Sequence, residues 1–334
     1  MHVTRKLLAA AAACALSMAL WGLVGCSSAP SSGNPPEGDA GQPAPAETAQ
    51  DGNAPSTVSV SPKASTNDYT WEELGSIASE ISASGSMDAA LEIAKKYNLV
   101  NADGKLDGTQ VKEFELNDGT PTGAQIIGFY HDELADGGGK AGITFIMTES
   151  PVLKAMNSRD YNGGTITGGW EESELRMWLG SDFKTQLPVD LIPWIHGVNK
   201  YTNNKGSNAQ PSDVTATIDE IWIPSFVEVY GPRDAEGSEF YQVYNAEGTQ
   251  YQLYRDVNVD DERWTHNEPQ NEVLVKILSE TVEDNSNAGE RTLWWQRTPN
   301  PSTDNYFRCI GHAGDWDNGV DVVREETVIA AFCF

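Results

Sequence analysis

Chemistry in this chain would begin at Cys26. The tetrad Leu23-Val24-Gly25-Cys26 sets a thiol behind a glycine and two aliphatic residues. Small neighbours leave the backbone and the sulfur of Cys26 open to a modifying enzyme. Two acidic stretches have oxygens for a hard cation. "GDWDNGVD" carries Asp315, Asp317 and Asp321, and "NADGKLD" carries Asn101, Asp103 and Asp107. Acids alternating around a glycine suit calcium. Neither stretch has EF-hand spacing, and Asx turns explain the same residues. Trp316 stands among turn formers, where a ring can stack on a sugar or a partner side chain.

Two more cysteines remain once Cys14 leaves with a leader. In an oxidising compartment Cys309 and Cys333 would pair. Both sit in short β-rich runs, "YFRCIG" and "TVIAAFCF". Adjacent antiparallel strands would bring them within the ~5.5–6 Å Cα separation of a disulfide.

Familiar catalytic signatures are missing. "GGGKAG" lacks the hydroxyl residue that follows the lysine of a phosphate-binding loop, and there is no GxGxxG, HExxH or GxSxG. His131, His196, His266 and His312 are scattered without ligand spacing. Acids are so common that no glycosidase dyad stands out.

The elements that would position these residues follow from patterning. Residues 1–26 form a leader: Arg5 and Lys6, then an apolar run to Cys26. Residues 27–66 are Ser, Pro, Gly, Ala and Thr with few large apolar groups. They predict a disordered tether reaching about 35 Å. Residues 67–110 predict a helical hairpin, with a Thr70–Glu73 capping box and an apolar stripe from Trp71 to Ile81. From 111 to 334 strands alternate with short helices. "VKEFEL", "AQIIGFYHDE", "AGITFIMTE", "RTLWWQRTP" and the closing run are strands. "EESELRMWL" has a helical period, and "SEFYQVYNAEGTQYQLYRDV" predicts a hairpin turning at Glu247-Gly248. If Trp294 and Trp295 lie on a strand they face opposite sides, both in the core or one lining a groove.

The chain carries a net charge of −27, and −29 without the leader. That argues against nucleic acid and anionic lipid as partners.

The leader and its tetrad resemble those of bacterial lipoproteins. This implies a lipid-anchored, extracytoplasmic protein of the cell envelope that meets the membrane only through its anchor. From Val111 to Phe334 the chain resembles the DUF6273 domain of bacterial exported proteins. "GGWEESELRMWL" matches through Trp170, Ser173, Leu175, Arg176, Trp178 and Leu179. "TIDEIWIPSFVE" matches through Thr217, Asp219, Ile221, Trp222 and Ser225. "TLWWQRTP" matches through Trp294, Trp295, Arg297 and Pro299, and "VIAAF" departs from the expected Arg-Pro at Ile329 and Ala330. More distantly, the order of elements resembles the C-type-lectin-like fold of the formylglycine-generating type. That resemblance implies an α+β, loop-rich domain of antiparallel strands and two central helices. It places a ligand loop between Arg297 and Arg324, with Arg297, His312, Asp315, Trp316 and Asp317 as contacts. The acidic residues themselves suggest no cofactor beyond calcium on Asp315, Asp317 and Asp321. A non-catalytic module for a glycan or protein ligand is the expected function. The alternatives are an exported hydrolase with an unidentified carboxylate site and a structural component of an envelope complex.

Overall fold

Capped amphipathic runs make the first two helices. The computed structural model describes residues 56–233, 239–259, 272–277 and 291–334. Helix α1 (Trp71–Ser82) starts where Thr70 Oγ1 accepts the Glu73 N–H and Glu73 answers by accepting the Thr70 N–H. Helix α2 (Met87–Lys96) is capped by Ser86. The stripe Trp71, Leu74, Ile77 and Ile81 is buried. Trp71 meets Phe114, Phe145, Phe332 and Phe334 edge-on, with ring centroids 5.6, 6.1, 6.4 and 5.9 Å away. Such pairs add about 0.5–1.5 kcal/mol each to the area they bury. Gly142 makes this approach possible, because a Cβ there would lie 1.9 Å from the Ala78 carbonyl oxygen. The expected helical hairpin therefore shares its core with the strands that follow.

The tether ends earlier than its composition suggests. Residues 56–66 are described: the Val58 N–H donates to Ser76 Oγ, Val60 packs on the core, and Lys63 Nζ reaches Glu73 at 2.5 Å. Two valines and one lysine suffice to pin this end onto α1. Residues 1–55, with the expected leader and most of the tether, lie outside the described residues.

The strands are β1 (Val111–Glu115), β2 (Pro121–Phe129), β3 (Ile143–Met147), β4 (Leu153–Ala155), β5 (Val198–Asn203), β6 (Val214–Asp219) and β7 (Ile221–Trp222). They continue as β8 (Lys276–Ile277), β9 (Arg291–Thr292), β10 (Trp294–Pro299), β11 (Tyr306–Ile310), β12 (Trp316–Asp321), β13 (Glu325–Thr327) and β14 (Ala331–Cys333). One sheet has the order β1-β2-β3-β14-β7 and is antiparallel, with Phe332 opposite Phe145 and Ala331 opposite Trp222. A second has the order β12-β11-β10-β13-β4, antiparallel except where Trp294 pairs parallel with Thr327. Ribbons β5–β6 and β8–β9 complete the pairing. The architecture is α+β with mainly antiparallel sheets, as the sequence predicts.

The short helices are α3 (Glu174–Trp178), α4 (Phe226–Tyr230), α5 (Glu239–Asn245) and α6 (Gln252–Asp256). Two of them replace an expected hairpin. The run 239–256 forms α5 and α6 joined through Glu247 and Gly248, rather than two strands. Its aromatic alternation also fits a helical face, and tertiary burial of Tyr244, Leu253 and Tyr254 decides between the periods.

Candidate functional site

A dense cluster of charge lies in the interior. Lys200 on β5 places Nζ 2.7 Å from Asp132 Oδ1 and 2.5 Å from Glu228 Oε1, with all three side chains at most 3% exposed. Its ammonium also stands 4.7 Å from the Trp222 ring centroid. Arg297 on β10 is wholly buried and grips Glu228 with both terminal nitrogens. Its Nε donates to Thr202 Oγ1 at 2.9 Å, and its remaining N–H groups go to the Ile223 and Glu247 carbonyls. Glu247 accepts from the Asn203 N–H at 3.0 Å and from the Thr298 hydroxyl. Tyr251 donates to Asp132 Oδ1 at 3.0 Å, and Thr144 donates to Oδ2 at 2.6 Å. Local structure aims Glu228: Ser225 and Glu228 form the capping box of α4, so the carboxylate is already turned inward.

Burial and charge compete at each acid. Burial alone would raise the Asp132 carboxyl, but the Lys200 ammonium outweighs it and holds the group at about 2. Burial would likewise raise Glu228, and Arg297 and Lys200 lower it. Glu247 goes the other way. Burial dominates its hydrogen bonds and pushes it up to about 7. Two cations therefore face two ionised carboxylates, and the third acid, Glu247, takes its proton near neutrality. Removing such charges from water costs several kcal/mol per ion, so the arrangement survives only because nearly every donor and lone pair is used.

A second polar knot joins the motif residues. Asp219 accepts from Trp170 Nε1 at 3.0 Å, Arg176 Nε at 2.6 Å and Thr217 Oγ1 at 2.7 Å. The Trp294 and Trp295 indoles donate to the Leu274 and Lys154 carbonyls, and both rings are fully buried. These residues hold elements together.

Several expected site residues are placed differently. Arg297 is not on a ligand loop. It is the buried partner of Glu228, because β10 runs through the middle of its sheet. The stretch from Asp315 to Asp321 is the end of a turn and a strand, not one loop. A tight turn closes from the Gly311 N–H to the Asp315 carbonyl, and residues 316–321 run on as strand β12 beside β11. Asp321 instead accepts from Asn305 and the Val323 N–H. Asp107 is claimed by Thr109, Asn101 and Gln110, an Asx arrangement. No group of three His, Cys, Asp or Glu residues suited to a metal occurs among the described residues. The expected Cys309–Cys333 disulfide is not made. Cys309 lies on β11 opposite Trp295 and Cys333 on β14 opposite Thr144, in different sheets. The Cys333 thiol donates to the His196 carbonyl at 3.7 Å. His312 is exposed and Asp315 half-buried at the β11–β12 turn. The side chains of Trp316 and Asp317 lie outside the described residues.

Where ligand could reach the surface, the geometry is quieter. Helix α3 ends at Trp178 and passes into one wide π turn over Leu179–Phe183. Beside it a groove of about 450 Å³ is lined by Lys154, Ser158, Glu174, Met177, Trp178, Asp182 and Glu325. The Trp178 ring is half-buried and tilted on Phe183 at 5.2 Å, and Lys154 Nζ stands 5.1 Å from it. The floor is β4, paired with β13. An aromatic wall flanked by carboxylates, hydroxyls and one ammonium can stack a ring and accept hydroxyl hydrogen bonds.

Spacing had no means of finding the interior cluster, whose members run from Asp132 to Arg297. The one local signal is "SFVE", a capping box whose glutamate is also the arginine's partner. A family model described as a domain of unknown function (DUF6273) matches residues 141–334. No curated protein and no solved structure matches the chain.

Proposed function

The chain belongs to the DUF6273 family, and for this member we propose a non-catalytic binding role for a glycan or protein ligand outside the cell. Lipid on Cys26 would anchor the protein, the residues before 56 would hold the domain off the membrane, and its β-rich part would be a distant variant of the C-type-lectin-like fold. The ligand would dock in the groove at Trp178, not on the turn before β12. One observation carries the reading: reactive groups and accessible surface are separated. The clustered acids Asp132, Glu228 and Glu247, with their cations Lys200 and Arg297, are sealed in the core. The open groove offers stacking and hydrogen bonding around Trp178. A glycan fits that chemistry best, since a sugar presents an apolar face to an indole and hydroxyls to carboxylates.

Arrays of glycans and proteins probed with the purified protein test this. Trp178→Ala should weaken the captured ligand at least about tenfold, the size of one lost aromatic anchor. Unchanged affinity would remove the groove from the proposal, and turnover of an arrayed glycan would replace binding with catalysis.

A further inference from the structure

Lys200, Asp132 and Glu228 combine an amine, a carboxyl and a second carboxylate in one closed, aromatic-walled space. We propose that Lys200 and Asp132 condense into an intramolecular amide, with Glu228 carrying protons between them. Lys200 Nζ touches Asp132 Oδ1 at 2.7 Å, which brings the carboxyl carbon, one bond further on, towards the ~3–3.5 Å of a near-attack pair. Glu228 Oε1 is 2.5 Å from the same nitrogen. Tyr251 and Thr144 donate to the two carboxyl oxygens and would steady the charge that develops there during attack. Trp222 and Tyr251 wall the site, with ring centroids 4.7 and 5.4 Å from Nζ.

The reaction needs no reagent from outside. The ammonium gives a proton to Glu228, which passes it to the Asp132 carboxylate, and the freed amine attacks the carbonyl carbon of the neutral acid. The nitrogen then loses a second proton, and one carboxyl oxygen leaves with both as water. A C–N bond replaces a C–O bond, nothing is oxidised, and three hydrogens on nitrogen become one amide hydrogen and two in water. Burial drives it: the product removes two charges from a space where each is costly, and the released water escapes to bulk. Arg297 keeps Glu228 in place while protons pass. The bond would tie the end of β2 to ribbon β5–β6.

Peptide mass analysis of the full-length protein, denatured and digested with trypsin, decides the matter. The expected product joins residues 113–140 to residues 185–205, lighter than the two peptides together by one water, with no cleavage after Lys200. Only separate, full-mass peptides after prolonged incubation would overturn the proposal. Glu228→Gln should slow linking by about a hundredfold, and undiminished linking would take the proton-carrying role from Glu228. Because that variant also weakens the hold on Arg297, Asp132→Asn provides a second reading. It should link with loss of ammonia and give a product of the same mass as the linked native chain. Failure of Asp132→Asn to link in a folded protein would count against the reaction.

Discussion

Two of the molecule's lysine–tryptophan pairs have almost equal geometry and opposite consequence. Lys200 stands 4.7 Å from Trp222, and Lys154 stands 5.1 Å from Trp178. The first pair is closed off and answers to Asp132 and Glu228. The second opens on a groove and answers to solvent. Distance alone does not distinguish them. What does is whether water screens the charge, since an interior charge must be matched at every hydrogen bond and a surface charge need not be.

The largest expected effect lies in the closed pair's surroundings. Arg297→Met should destabilise the fold by about 3–5 kcal/mol, because it leaves two buried carboxylates, Glu228 and Asp132, to share the single cation Lys200; urea unfolding measures it, and a loss under ~1 kcal/mol would mean that water reaches the cluster. Next comes the response to pH. The folded protein holds Glu247 at about 7, above its ordinary 4.5. A raised acid binds its proton more tightly in the folded state, so its contribution is complete below pH 4.5 and fades as pH rises through 7. Glu247→Gln should therefore raise the melting temperature at pH 8 relative to the native protein and give no gain at pH 5. Equal shifts at both values would show that Glu247 keeps its charge throughout. The smallest effect belongs to the open pair. Lys154→Met should change stability by no more than ~0.5–1 kcal/mol, as for an exposed cation over a ring. A loss approaching that of Arg297→Met would erase the contrast between the two sites.

Local signals carried well where one segment decides its own structure. The Thr70–Glu73 cap, the α1 stripe and the long strands were legible because helix ends and apolar periods are properties of neighbouring residues. The family blocks were legible too, but not their purpose: Trp170, Arg176 and Asp219 prove to be one knot of hydrogen bonds. Arg297 stands near the end of a run that reads as a strand, and only the fold resemblance set it at the head of a ligand loop, since nothing nearby in sequence announces Glu228. The Cys309–Cys333 expectation failed for a related reason. Each cysteine was correctly placed on a strand, but sheet membership depends on which distant strand arrives beside it. The groove at Trp178 depends on a π turn, whose occurrence no composition signalled.

Strand β14 occupies an inner position of its sheet, between β3 and β7. Its partner Phe145 precedes Phe332 by more than half the length of the chain. A polypeptide made from its N-terminus therefore exposes an open slot flanked by β3 and β7 until residues 331–333 emerge. Contacts of such long sequence separation close slowly. Synthesis or passage through a narrow channel would thus deliver a chain that has not locked until β14 arrives, and residues 331–333 act as the latch.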